Sequence, residues 1–96
     1  MRRGLLVYNP AAGGRDRTAQ MAAIAERARA KGGDLALLAT QRPGHATELV
    51  RERLAESPDL FAVAGGDGTV GEAAAALVGS EVPLAILPAG TANVVA

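Results

Sequence analysis

Four glycines fall within seven residues in the segment Ala64-Gly65-Gly66-Asp67-Gly68-Thr69-Val70-Gly71-Glu72, between an apolar run and an amphipathic stretch. A turn of this composition is suited to holding phosphate. Backbone N–H groups in a first helical turn lack intrahelical partners and sit at the positive end of the macrodipole, so an anion gains hydrogen bonds and a favourable field together. Gly66 and Gly68 carry no Cβ to keep a phosphate off those amides. Asp67 or Thr69 is expected to cap the helix, and Thr69 can instead turn its hydroxyl to a ligand. The plainer reading is a tight turn with Asp67 as N-cap.

Two other phosphate motifs match in part and fail at a diagnostic residue. Gly66-x-Gly68-x-x-Gly71 fits the dinucleotide fingerprint, but the next strand, Leu84-Ala85-Ile86-Leu87-Pro88, offers no acid for a ribose. Gly66-x-x-x-x-Gly71 begins a Walker A pattern, yet Glu72 stands where a lysine must meet the β- and γ-phosphates.

The elements that position this turn alternate along the chain. Leu5–Tyr8 is an apolar strand ending at Asn9-Pro10, followed by Ala11-Ala12-Gly13-Gly14 and a helix beginning near Arg15 or Asp16. Met21, Ile24, Ala25 and Ala28 make that helix's apolar stripe, and Gly32-Gly33 ends it. Leu35–Ala39 reads as a second buried strand, and Ala46, Leu49, Val50 and Leu54 as the face of a second helix stopped by Ser57-Pro58. Leu60–Ala64 is the third strand. Val70, Ala73, Ala74, Leu77 and Val78 then recur at i, i+3, i+4, i+7 and i+8, predicting a third helix that stops at Gly79. Leu84–Leu87 is the fourth strand, and Pro88-Ala89-Gly90-Thr91 leads into a fourth helix.

Apolar strands alternating with helices predict a Rossmann-like α/β fold with a parallel sheet and right-handed crossovers. Ligands of such sheets bind outside the carboxyl ends of the strands. The loops Asn9 to Gly14, Thr40 to His45, Gly65 to Glu72 and Pro88 to Asn93 all leave such ends, so they are expected to converge on one crevice. The last helix is about one turn old when the sequence stops at Ala96, with no capping residue, and residues 1–96 read as one incomplete domain.

Composition narrows the chemistry. A hydrophobic content of 49% with 21% charge is ordinary for a globular domain, although Tyr8 and Phe61 are the only aromatics and much of the apolar share is alanine. Ten basic and ten acidic residues cancel, leaving no broad field for nucleic acid or an anionic membrane. Without cysteine and with one histidine there is no thiolate metal site and too few soft ligands for zinc. Leu5–Tyr8 is too short for a signal-peptide core or a membrane span, so the chain reads as cytoplasmic.

Taken together, Asn9-Pro10 with Gly13, Thr40 with Pro43-Gly44-His45-Ala46, the Gly65–Thr69 turn with Glu72, and Pro88-Ala89-Gly90-Thr91-Ala92-Asn93 resemble the diacylglycerol kinase catalytic family, whose members include bacterial lipid kinases and sphingosine and ceramide kinase relatives. The resemblance runs through the whole chain, as the amino-terminal nucleotide-binding part. It implies ATP-dependent phosphorylation of a lipid hydroxyl with magnesium. By resemblance, Asn9, Thr40, Gly65, Gly66, Asp67, Gly68, Thr69, Val70, Gly71, Glu72 and Thr91 contact ATP. The catalytic base, the magnesium-binding acids and much of the lipid site belong, in the family, to a second β-rich domain not in this sequence. The chain alone is therefore expected to bind nucleotide weakly and to turn over no substrate. Its partners are ATP and a lipid, with peripheral membrane contact in the intact protein and self-association through an open sheet edge.

Two positions depart from the family pattern: Gly71 replaces an asparagine, and Val94-Val95 an Asp-Phe pair. Losing the carboxamide at 71 forfeits a loop hydrogen bond worth about 0.5–1.5 kcal/mol but leaves the backbone cradle. Other roles stay open. Asn9 serves equally as a turn former before Pro10, Thr40 as an ordinary strand-end residue, and His45 as a helix start. Asp67 is an N-cap or a contact to magnesium or ribose, while Glu72 orients the glycine loop. NAD kinases share the Gly-Gly-Asp-Gly signature and a related fold, so an NAD kinase-like enzyme is one alternative. A non-catalytic nucleotide-binding fragment is the other.

Overall fold

The structure, a computed structural model, describes residues 2–10 and 17–88. Strands β1 (Arg2–Tyr8), β2 (Gly33–Ala39), β3 (Leu60–Gly65) and β4 (Leu84–Pro88) alternate with helices α1 (Thr18–Ala30), α2 (His45–Leu54) and α3 (Asp67–Ala76). All neighbouring strands pair in parallel, in the order β2-β1-β3-β4. The fold is thus the expected α/β class. After β1 the chain turns to one side and after β3 to the other, so the topological switch point lies between β1 and β3.

Each face of the central strands feeds a different half of the core. Leu5 and Val7 of β1, Leu38 of β2 and Phe61 and Val63 of β3 pack with Ala46, Val50, Ala73 and Leu77 under α2 and α3. On the other face Leu6, Tyr8, Ala62 and Ala64 meet Met21 of α1. Phe61, Leu5, Leu6, Val7, Val50 and Val63 are the largest fully buried side chains. Each contributes about 1.5–3 kcal/mol of burial, which holds the strand ends rigid beneath the loops they carry.

Three sequence expectations need correction. The strand predicted from Leu5 starts at Arg2, because Arg2–Gly4 pair in register with Gly33–Leu35. The strand predicted as buried, Leu35–Ala39, is an edge strand: among the described residues β2 bonds to β1 alone, and Asp34, Ala36 and Ala39 are exposed. The five-residue stripe of the third helix is only partly turned inward. Ala73 and Leu77 are buried and Val70 packs on the core, but Ala74 is exposed and Val78 is 84% exposed. The helix ends at Ala76, so Val78 lies beyond the helical geometry that would have carried it inward.

The remaining boundaries have local causes. Arg17 occupies the N-cap of α1, its N–H donating to the Pro10 carbonyl at 2.9 Å, and the start predicted at Arg15 or Asp16 lies outside the described residues. The stripe of Met21, Ile24, Ala25 and Ala28 does face inward, with Met21 and Ala25 buried and the other two half-buried. Gly44, at φ +85°, turns the chain into α2 through a left-handed conformation that a Cβ would penalise.

Candidate functional site

Sheet register gathers the predicted loops. Tyr8 pairs with both Ala39 and Ala64, and Ala64 pairs with Leu87, so these four form one row across the sheet. One residue further lie Asn9, Thr40, Gly65 and Pro88. The Thr40 N–H donates to the Tyr8 carbonyl at 2.8 Å and the Asn9 N–H to the Ala64 carbonyl at 3.3 Å, fixing both residues to the central strands. Asn9 and Thr40 are half-buried, and the switch point between β1 and β3 falls between Asn9 and Gly65. Thr91 and the loop at 11–16 lie outside the described residues.

Gly65 is needed by packing. A Cβ there would stand 2.8 Å from Thr69 Cβ and 3.0 Å from its Oγ1, so glycine lets α3 settle directly over the end of β3. Thr69 consequently faces the strand end, half-buried. Gly66, in extended conformation at φ −82° and ψ −174°, occupies the N-cap, and its carbonyl accepts the Val70 N–H at 3.1 Å as the first helical bond. This corrects the expectation that Asp67 or Thr69 caps α3: no side-chain cap is made, and Asp67 is the acidic residue of the first turn. The N–H groups of Asp67, Gly68 and Thr69 precede the helical ladder and point out of its end.

At Gly66, Gly68 and Gly71 the fold makes no comparable demand. A Cβ at any of them meets nothing within 4 Å among the described residues, and none has a positive φ. Gly66, Asp67 and Gly68 are exposed. Glycine at 66 and 68 therefore leaves a small, bare, amide-rich surface at the mouth of the switch point.

Glu72 is committed elsewhere. Its Oε2 accepts the Gly44 N–H at 2.9 Å and its Oε1 the Ala46 N–H at 3.3 Å, so a carboxylate on α3 caps the amino end of α2. Thr47 Oγ1 returns a bond to the Glu72 carbonyl at 2.8 Å. Two further contacts shape the same loop: the Gln41 N–H donates to His45 Nδ1 at 2.9 Å, and Arg42 grips Glu48 through both terminal nitrogens at 3.0 and 2.8 Å. That hydrogen bond holds the Glu48 carboxyl below its ordinary range, against a weaker opposing push from burial and with help from the Arg42 and His45 charges. Sequence reading reached His45 and Glu72 but missed Arg42, Thr47 and Glu48. Pro43-Gly44 was the signal for a turn here, while the partner of Glu72 lies 28 residues upstream and leaves no local trace.

Among the described residues no group of three or more His, Asp or Glu side chains is placed to hold a metal. Of the two carboxylates in the turn segment, Glu72 is bound to the Gly44 and Ala46 amides and Asp67 remains, so the described residues by themselves do not make a magnesium site. A depression of about 380 Å³ lined by Arg2, Ala28, Lys31, Gly32 and Gly33 lies at the opposite, amino end of the sheet. Lys31, at the C-cap of α1, complements the negative end of that helix. No helix among the described residues is long and apolar enough to cross a membrane.

Comparison with known proteins identifies the family. The family model for the diacylglycerol kinase catalytic domain matches residues 3–96. A protein of Pseudomonas aeruginosa named probable lipid kinase YegS-like is 40% identical over 91 residues, which cover 93% of this chain and 29% of that protein. Diacylglycerol kinase of Bacillus subtilis is 30% identical over 95 residues, covering 97% of this chain and 31% of the relative. The crystal structure of a diacylglycerol kinase from Bacillus anthracis superposes with a TM-score of 0.73 at 40% identity, covering 96% of this chain and 34% of the other. The chain thus spans about a quarter to a third of the length of the curated relatives it matches. With a family match across nearly its full length and a solved relative of the same fold, this chain belongs to the diacylglycerol kinase catalytic domain family.

Proposed function

We propose that the chain is the ATP-binding half of a kinase that phosphorylates a lipid hydroxyl. One observation carries the reading: bare glycines at 66 and 68, which packing does not require, expose first-turn amides of α3 just beyond the row of Asn9, Thr40 and Gly65. The triphosphate would lie along those amides, with Asn9 and Thr40 supplying polar contacts from the neighbouring strand ends and Thr91 a further hydroxyl. Phosphoryl transfer needs mainly positioning and charge stabilisation, and backbone donors fixed by a rigid sheet supply positioning at no cost in reorganisation. In the same reading residues 1–96 are an incomplete domain. Magnesium, the base and the lipid pocket are completed by chain outside this sequence, so no step is assigned to the metal here.

The names of the relatives support a lipid acceptor over NAD. In this reading the intact enzyme is cytoplasmic and meets its substrate at a membrane surface. Phosphorylation assays of the native-length protein with diacylglycerol, a sphingoid base and NAD as rival acceptors test the proposal. ATP-dependent product from either lipid is expected. Product from NAD alone would overturn the lipid assignment, and the 96-residue chain by itself is expected to bind nucleotide weakly and give no turnover.

A further inference from the structure

Glu72 sits at the edge of the glycine turn, yet both of its carboxylate oxygens are spent on backbone amides of another element. A side chain contacting ATP phosphate would not be a carboxylate unless a cation lay between, and among the described residues no metal-ligating cluster surrounds this one. The geometry points to a different role. We infer that Glu72 is a positioning residue that locks the 40–46 loop to α3, fixing the distance between Thr40 and the amides of the glycine turn without touching the nucleotide. The inference rests on the nucleotide-site reading above and deepens it.

Three bonds make the lock. Gly44 and Ala46 supply N–H donors that α2 itself leaves unpartnered, and no side chain of the 40–46 loop caps them. Glu72 accepts both, one on each oxygen. Thr47 then donates to the Glu72 carbonyl, joining the two helices through main chain as well as side chain. The far end of the loop is pinned independently, by Thr40 N–H on the Tyr8 carbonyl. The loop is therefore tethered at one end to β1 and at the other to α3, and Thr40 and the glycine turn move as one body. A glutamine cannot substitute, because its NH2 would confront one of the two amides donor to donor.

The test compares E72Q, T47V and T47S in the native-length protein, reading ATP affinity by calorimetry with and without magnesium, KM and kcat for ATP and lipid, and amide hydrogen exchange over residues 44–47. Circular dichroism confirms folding, and T47V keeps the test open if E72Q does not fold. The inference expects E72Q to weaken ATP about tenfold and T47V roughly threefold, by the same factor with or without magnesium. KM for ATP should rise while KM for the lipid holds. Exchange over 44–47 should accelerate in E72Q, and T47S should restore wild-type affinity. Loss of ATP affinity in E72Q alone, with T47V unaffected and exchange unchanged, would mean that Glu72 meets the nucleotide directly. Faster exchange with unaltered ATP affinity would reduce the lock to ordinary helix packing. Either result overturns the inference and leaves the nucleotide site standing, whereas failure of the wild-type protein to take up ATP removes both.

Discussion

Gly65 and Gly68 differ in what a methyl group would meet, and that difference separates folding from function. At 65 the added Cβ strikes Thr69 Cβ, which cannot swing aside because it lies at the root of the side chain. Gly65→Ala is expected to cost about 1–3 kcal/mol in chemical denaturation. At 71 the methyl has open space inside a helix, so Gly71→Ala should stabilise by about 0.5–1 kcal/mol, read as a higher denaturation midpoint. Titration gives a further residue-level check. Since Glu48 is held below its ordinary range in the fold, the unfolded chain binds its proton first as pH falls. The Arg42–Glu48 pair's contribution is complete above the ordinary glutamate range and disappears as pH drops through the lowered value. Glu48→Gln should therefore flatten part of the loss of stability between neutral and acidic pH, with little change at the fully acid end. Both groups are exposed, so the effect is small and shrinks with added salt.

At the scale of elements, the glycine turn was legible because its signal is local: an apolar strand, glycines and a helix within one short segment. The same holds for the faces of α1 and α2, whose stripes recur over several turns. α3 was misread because it is short and alanine-rich, so a five-residue pattern ran past its end at Ala76. Its core contact is made instead by Val70, Ala73, Ala76 and Leu77. Leu77→Ala is accordingly expected to cost about 2–5 kcal/mol, and Val78→Ser almost nothing, in paired thermal or denaturant unfolding. The cap on α2 was not legible at all. It joins Glu72 to amides 26 and 28 residues away, whereas the sequence suggests only that Glu72 orients its own glycine loop.

For the whole molecule, parallel strands and alternating helices followed from apolar runs and their spacing, but strand order did not, because β2 and β3 are both mostly apolar runs that fit either a central or an edge place. The order matters for function: it sets the switch point between β1 and β3 and brings residues 9, 40 and 65 into one row. It also leaves β2 and β4 at the two sides of the sheet, with Ile86 of β4 55% exposed. If that edge drives self-association of the 96-residue chain, Ile86→Lys should shift sedimentation velocity towards monomer. In the proposed site, backbone amides at the amino end of α3 seat the triphosphate of ATP. Calorimetric titration of the native-length protein with ATP, beside its Gly68→Ala variant, decides whether they do. Binding by the wild type and at least about tenfold weaker binding by Gly68→Ala at undiminished thermal stability are expected; equal ATP affinity in the two proteins would rule out a triphosphate seated on these amides.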